Sequence, residues 1–373
     1  MVRSGASSPT SAGGRTLRVA AVQDAPVFLD ADATCDRILA RLDEAADQGV
    51  ELAAFGETFL PGYPFWLTHT DGARFDDPNQ RAAYAAYVRA AVRLDGPQLR
   101  AIAERSRRRG VAVVLGVVEA SPERHSSVYC TAVTIDPARG IVGAHRKLVP
   151  TWEERLAWTP GDGNGLRVHP LELSVPVRLS SLNCWENWMP QARFALWTQA
   201  PEVHVALWPG SPRLTGDITR FAAMEARCYV VSASALLRPE DIGPDFPLRE
   251  QLERLDASRR AETGSSTAYY SGGSAIAGPR GEWLVEPVAE RAGLIVADLD
   301  LDAVARERHN LDVAGHYHRP ELLQLHVDRR RHDTARFVDG PSAPAGGAPP
   351  PPGPPPPPGP PPPPPPPPHP GDR

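Results

Sequence analysis

The sequence predicts a layered α/β domain built on a mixed sheet. Three features predict it. The chain opens as strand, helix, strand: the apolar run LRVAAVQ, a stretch over 30–48 with Ile38, Leu39, Leu42, Ala45 and Ala46 at helical spacing, then ELAAFGE. The runs VAVVLGVVE and SVYCTAVTID read as paired strands, and residues 137–140 close a turn into GIVGAHRK, so antiparallel neighbours join the sheet. Further apolar runs of strand length alternate with helical stretches to the end of the domain.

The elements follow in order. After ELAAFGE comes TFLPGYPFW, whose Pro61, Gly62 and Pro64 forbid regular structure and make an aromatic-rich loop. A polar loop, DGARFDDPNQ, leads to the helix RAAYAAYVRAAVRL and a second helix over 96–109. Beyond Lys147, LVPTWEERLAWTPGDGNG reads as loop. The strand VRLSSLNC follows, with a turn and a helix over about 190–199; then VHVALWP as a strand, a helix over 217–227, and the strand CYVVSASAL. Residues 238–270 are polar, carry no clear period and are placed on the surface. GGSAIAGPRGEWLVEP is strand, turn, strand, and GLIVADLDL is the last strand.

Composition narrows the setting. A net charge of -5 over 373 residues, with no basic stripe, argues against nucleic acid or an anionic membrane as the main partner. Cys35, Cys130, Cys184 and Cys228 form no CxxC pair, which suggests neither a zinc site nor a disulfide framework and fits a reducing, cytoplasmic setting. The first residues, MVRSGASSPTSAGG, lack the apolar core of a signal peptide, and no run of apolar residues is long enough to span a bilayer. Residues 1–15 are Ser/Gly-rich and expected to be flexible. The segment 326–340 reads as a linker, and 341–373 as a disordered proline-rich tail that samples polyproline II. Such a tract is a ligand type for SH3-, WW- or EVH1-like domains, but nothing flanking it supplies a specific anchor, so a partnerless extension is the favoured reading.

Chemistry concentrates at strand ends. Cys184 closes VRLSSLNC where a strand gives way to a turn and helix, at the rim of a sheet and within reach of a substrate. Alone, a free cysteine is more often packing. Glu57 ends ELAAFGE and Lys147 ends GAHRK; singly, each is more often a solvated charge, as is Glu154 in TWEERLAW. Together they supply what a cysteine nucleophile needs: a base to take the thiol proton and a cation to favour thiolate and stabilise developing charge.

The segments ELAAFGETFLPGYPFW, GAHRKLVPTWEERLAW, LSSLNCWENWMP, GSPRLTGDITRFAAMEAR and DVAGHYHRPEL, taken together and in this order, resemble the nitrilase superfamily, and within it the true nitrilase branch, over roughly residues 17–322. The resemblance implies a four-layer α-β-β-α sandwich over a carbon-nitrogen hydrolase domain at 16–325. It also implies pairing of subunits through the α layers into a homodimer or a longer spiral. By the same resemblance Glu57 is the general base, Lys147 the stabiliser of the tetrahedral intermediate, Cys184 the nucleophile, and Glu154 an additional acid that positions substrate and Lys147. No metal or organic cofactor is implied.

Trp185, directly after Cys184, is similar to enzymes acting on nitriles, whereas amidase and carbamoylase branches commonly carry another residue there. The implied reaction adds Cys184 to a nitrile carbon and passes through a thioimidate and a thioester to the carboxylic acid and ammonia. An amidase or carbamoylase is the nearest alternative, and a non-catalytic scaffold recruiting partners through the proline tail is an alternative of another class. Tyr63, Phe65, Trp66, Trp185 and Trp188 are candidates to line an apolar pocket suited to an aromatic or arylaliphatic nitrile, against ordinary aromatic packing. Thr159, in WTPGDG, stands where relatives often have glycine, so the loop after Glu154 is expected to depart from the family path.

Overall fold

The computed structural model describes residues 14–263, 268–332 and 335. The opening unit is as expected: β1 (Thr16–Gln23), α1 (Ala31–Asp47) and β2 (Leu52–Phe55). Asp30 caps α1 by accepting from the Ala33 N–H, and the helix buries Cys35, Ile38, Leu42 and Ala45 at the spacing of one face. Burial of Ile38 and Leu42 contributes about 1.5–3 kcal/mol each.

The aromatic loop contains one short helical turn, α2 (Trp66–His69). It is followed by α3 (Pro78–Ala90) and α4 (Pro97–Arg109), each started by a proline at its first position, where the missing N–H costs nothing. Then come β3 (Ala112–Ala120), β4 (Val128–Asp136) and β5 (Gly140–Arg146), an antiparallel meander. Together these strands form a six-stranded sheet in the order β13-β1-β2-β3-β4-β5, in which β13 (Gly293–Asp300) pairs antiparallel with β1.

The second sheet takes β6 (His169–Glu172), β7 (Pro176–Asn183), β8 (Val203–Trp208), β9 (Tyr229–Ser234), β10 (Leu236–Leu237), β11 (Tyr270–Ala277) and β12 (Trp283–Ala289). Its central strands β7, β8 and β9 are parallel, joined by the helices α5 (Pro190–Trp197) and α6 (Pro212–Ala226). Two further helices, α7 (Arg249–Thr263) and α8 (Asp302–Arg308), complete the described elements.

Alternation along the strands builds the layers. Val19, Ala21, Leu52 and Val114 of the first sheet face Leu179, Val203, Val205 and Val231 of the second in one shared core. The opposite face of the first sheet, with Ala53, Phe55 and Val113, packs on Ile38 and Leu42 of α1 and Leu99 and Ile102 of α4. The opposite face of the second, with Leu182, Ala206 and Val230, packs on Leu196 of α5 and Ile218 and Ala222 of α6. The architecture is the four-layer α-β-β-α sandwich that the resemblance implied.

Several elements were not read from the sequence, the short α2 and β10 among them. The polar segment 238–270 contains α7, whose few apolar positions are hidden among charges; Leu252 is buried with Phe246 and Leu248. The short β6 and α8 are too brief to show a period. The N-terminal 13 residues and the proline-rich tail lie outside the described residues. Residues 326–332 run against the 162–164 turn, where Asn164 Nδ2 donates to the Arg329 carbonyl at 3.0 Å. None of the described helices is long and apolar enough to cross a membrane.

Candidate active site

β7 ends at Asn183, and Cys184 begins a 3₁₀ turn over Cys184–Trp188. Its φ of 46° lies in the left-handed region, which a side chain bearing a Cβ adopts only when its surroundings enforce it. Two neighbours enforce it here. Asn187 Nδ2 donates to the Cys184 carbonyl at 2.8 Å, and Asn187 Oδ1 is 2.8 Å from Nε2 of buried His204, whose Nδ1 meets Ser180 Oγ at 2.8 Å. Glu186, also buried, accepts the Asn183 N–H at 3.0 Å on one oxygen and the Leu148 N–H at 2.7 Å on the other. His145 Nε2 lies 3.1 Å from both oxygens of Glu186. Burial alone would raise the Glu186 pKa; His145 and the two backbone N–H groups hold it below the usual carboxylate value. One carboxylate therefore ties the residue after Lys147 to the residue before Cys184.

Glu57 follows β2 at the place where the two sheets meet, its N–H donating to the Trp208 carbonyl of β8 at 3.0 Å. Gly56 permits this approach, because a Cβ there would fall 2.7 Å from that carbonyl oxygen. Lys147 leaves the end of β5, and its backbone N–H donates to the Cys130 carbonyl of β4 at 2.8 Å. Glu154 is carried by a 3₁₀ turn over Trp152–Leu156, and its Oε2 accepts the Thr151 N–H at 2.6 Å. Thr58 and Trp152, like Cys184, take positive φ, so left-handed backbone recurs in the segments that bear all three groups.

These segments converge. Lys147 Nζ donates to Glu57 Oε1 at 2.8 Å and to Glu154 Oε2 at 2.6 Å, with all three side chains buried. The ammonium also lies 5.2 Å from the centre of the Trp158 ring. Tyr63 donates to Glu154 Oε1 at 2.6 Å, and the Cys130 thiol to Glu57 Oε1 at 3.5 Å. Glu57 Oε2 is buried and has no partner among the described residues. The carboxylates of Glu57 and Glu154 and the Cys184 sulfur each offer an atom within 4.8 Å of the others. That donor set has the residue types of a metal site, but the Lys147 ammonium already bridges the two carboxylates and supplies the charge a cation would bring.

Electrostatics follow from two carboxylates sharing one ammonium in a dry place. Burial, with Glu154 adding to it, pushes the Glu57 pKa up to about 8 against the pull of Lys147. Burial would lower the Lys147 pKa, but Glu57, Cys184 and Glu154 hold it well above its usual value. Burial and Glu57 push the Cys184 thiol up, outweighing Lys147. The resting group is thus a protonated thiol beside a carboxyl that titrates near neutrality and an ammonium that does not.

Above these groups lies a cavity of about 760 Å³, lined by Tyr63, Leu67, Val149, Cys184, Trp185, Trp188 and Tyr270 among others. Trp185 and Trp188 are about half exposed at its wall. Phe65 and Trp66 do not line it. They are buried against Phe28, Tyr87 and Phe246, so for these two the packing alternative holds. Thr159 needs no glycine-like backbone, since its φ is not positive, and its N–H donates to the Val128 carbonyl at 2.9 Å. Cys130, Glu186 and Tyr270 were not singled out from the sequence. Glu186 lay within the CWEN segment, but Cys130, inside β4, and Tyr270, the first residue of β11, carry no local signal.

Residues 18–308 match the carbon-nitrogen hydrolase family. The chain belongs to that family. It is 36% identical over 326 residues to a protein named nitrilase 2 from an unknown prokaryotic organism, covering 87% of this chain and 96% of the relative. It is 34% identical over 330 residues to the bifunctional nitrilase/nitrile hydratase NIT4 of Oryza sativa subsp. japonica, covering 87% and 88%. The fold is similar to that of Saccharomyces cerevisiae Nit3, a member of branch 10 of the nitrilase superfamily, with a TM-score of 0.60 at 15% identity, covering 81% of this chain and 96% of that one. At that identity the likeness concerns the fold, and among carbon-nitrogen hydrolases this is the four-layer sandwich described above.

Proposed function

We propose that this carbon-nitrogen hydrolase is a nitrilase, converting an organic nitrile to the carboxylic acid and ammonia. The observation that carries the reading is the convergence of a thiol, two carboxylates and one ammonium beside an apolar cavity that Cys184 and Glu154 line. The nitrilase names of the sequence relatives support it.

In this reading Cys184 Sγ adds to the nitrile carbon as its proton passes to Glu57, and the same proton is returned to nitrogen to give a thioimidate. Water then adds to that carbon, again deprotonated by Glu57. The nitrogen leaves as ammonia once protonated, and a thioester remains. A second water releases the acid and restores the thiol. Lys147, the most positive group facing these atoms, stabilises charge first on nitrogen and then on oxygen. Glu154, held by Tyr63 and Thr151, keeps Lys147 in place. Expulsion of the thiol instead of ammonia from the tetrahedral intermediate releases an amide.

The walls formed by Trp185, Trp188 and Tyr63 suit an aromatic or arylaliphatic substrate. Four free thiols fit a reducing, cytoplasmic setting, and the enzyme is proposed to work as a homodimer or larger spiral assembly. The proline-rich tail is proposed to be dispensable for the chemistry.

The test is ammonia release from matched panels of nitriles and their amides, with product identification. Release from nitriles that vanishes in Cys184→Ala supports the reading. Release from amides alone moves the assignment to an amidase, and release from neither favours a binding role.

A further inference from the structure

Two thiols, not one, lie within this cluster. Cys130, near the start of β4, is fully enclosed, and its Sγ lies 3.5 Å from Glu57 Oε1. The same oxygen receives Lys147 Nζ at 2.8 Å, while Oε2 is buried without a partner among the described residues. A carboxylate with two donors on one oxygen and none on the other is asymmetric: a proton placed on Oε2 disturbs neither bond, whereas a proton on Oε1 must displace one. Cys130 also accepts the Lys147 backbone N–H on its carbonyl, so a single residue of β4 contacts both members of the Glu57–Lys147 pair.

We propose that Cys130 is a positioning residue for the reaction: its thiol, donating to Glu57 Oε1, fixes the carboxylate so that Oε2 is the oxygen that exchanges protons with Cys184 and water. This rests on the reading of Glu57 as the base. No bond to substrate forms at Cys130. Its thiol keeps its proton through the cycle, and burial together with the Glu57 charge favours that state. The other charged or titratable groups acting on the pair are Lys147, Glu154, Glu186, the Cys184 thiol and the phenols of Tyr63, Tyr87 and Tyr270.

Removing the donor leaves Oε1 with Lys147 alone, makes Glu57 harder to ionise and frees the carboxylate to rotate. A serine, with a hydroxyl in the place of the thiol, keeps a donor. The variants are therefore Cys130→Ala and Cys130→Val, which lack it, and Cys130→Ser, which restores it; two donor-less side chains of different volume guard against a cavity or a clash being mistaken for the effect.

Two readouts are taken on the full-length chain. The first is the pH dependence of kcat and KM on a nitrile hydrolysed by the wild type. The second is the rate of iodoacetamide alkylation at Cys184, located by peptide mass across the same pH range, which needs no turnover. In Cys130→Ala and Cys130→Val, kcat is expected to fall about tenfold with KM little changed. The pH midpoint of both profiles is expected to move up by about half a unit or more, and Cys130→Ser is expected to return them toward wild type. Wild-type profiles in both donor-less variants overturn the role of Cys130 and leave the reaction standing, as does a substrate-derived label recovered on Cys130. Failure of the wild type to release ammonia from every nitrile and amide overturns the reaction itself.

Discussion

Lys147 Nζ lies 2.8 Å from Oε1 of Glu57, and the other oxygen of that carboxylate is buried with no partner among the described residues. An unpaired carboxylate oxygen in a dry site is costly unless something is meant to arrive there. In the proposed reaction what arrives is the proton of Cys184, and later that of water.

Replacement of Glu57 by glutamine tests this directly. The amide keeps the shape and an acceptor for Lys147 but cannot take a proton, so Glu57→Gln is expected to lower kcat by about a hundredfold or more with thermal unfolding close to wild type. Near-normal turnover removes Glu57 as the base.

The raised pKa of Glu57 sets a pH dependence. A base acts when ionised, and burial places that ionisation at about 8, above the ordinary carboxylate value. The rate kcat/KM is therefore expected to rise with pH through about 8, falling about tenfold per pH unit on the acid side. A rising limb centred near 4.5, the value for an unperturbed glutamate, contradicts the assignment of that limb to a buried Glu57.

Glu186, at the edge of the cavity, holds the Lys147 and Cys184 segments together through the Leu148 and Asn183 N–H groups. Glu186→Ala leaves the Leu148 and Asn183 N–H groups and His145 unpaired in the interior, a loss of about 3 kcal/mol or more. The thermal midpoint is expected to drop clearly, and Glu186→Gln, which retains an acceptor, to lose less. Equal midpoints for wild type and Glu186→Ala contradict the clamp.

Trp185 and Trp188 bear on which nitrile enters. Both are half exposed on the cavity wall. Trp188→Ala is expected to raise KM for an arylaliphatic nitrile about tenfold and to leave KM for a short aliphatic nitrile nearly unchanged; Trp185→Ala is expected to act in the same sense. Parallel changes for both substrates assign these residues to packing instead.

The strand ends that carry Glu57, Lys147 and Cys184 were legible because each finishes a short apolar run, and the ordered motifs grouped them. The structure adds what no local pattern encodes. Cys130 reads as one more apolar position in SVYCTAVTID, and only the sheet order, with β3 paired to both β2 and β4, brings it against Glu57. Glu186 was visible in the sequence, but its partners Leu148 and His145 are about forty residues away. Phe65 and Trp66 went the other way: their aromatic neighbourhood suggested a pocket, yet they are packed into the core beneath it. The helix α7 escaped notice because charges dominate its composition and its buried residues are too few to set a period.

The central claim is that Cys184 forms the covalent intermediate. Acid-quenched mixtures of the enzyme with a nitrile it hydrolyses, followed by intact-mass and peptide-mass measurement, test it most directly. The account predicts an added mass equal to the nitrile, for the thioimidate, or to the acid less one water, for the thioester, located on the Cys184 peptide and absent in Cys184→Ala. An adduct on any other residue, or turnover that persists in Cys184→Ala, contradicts it.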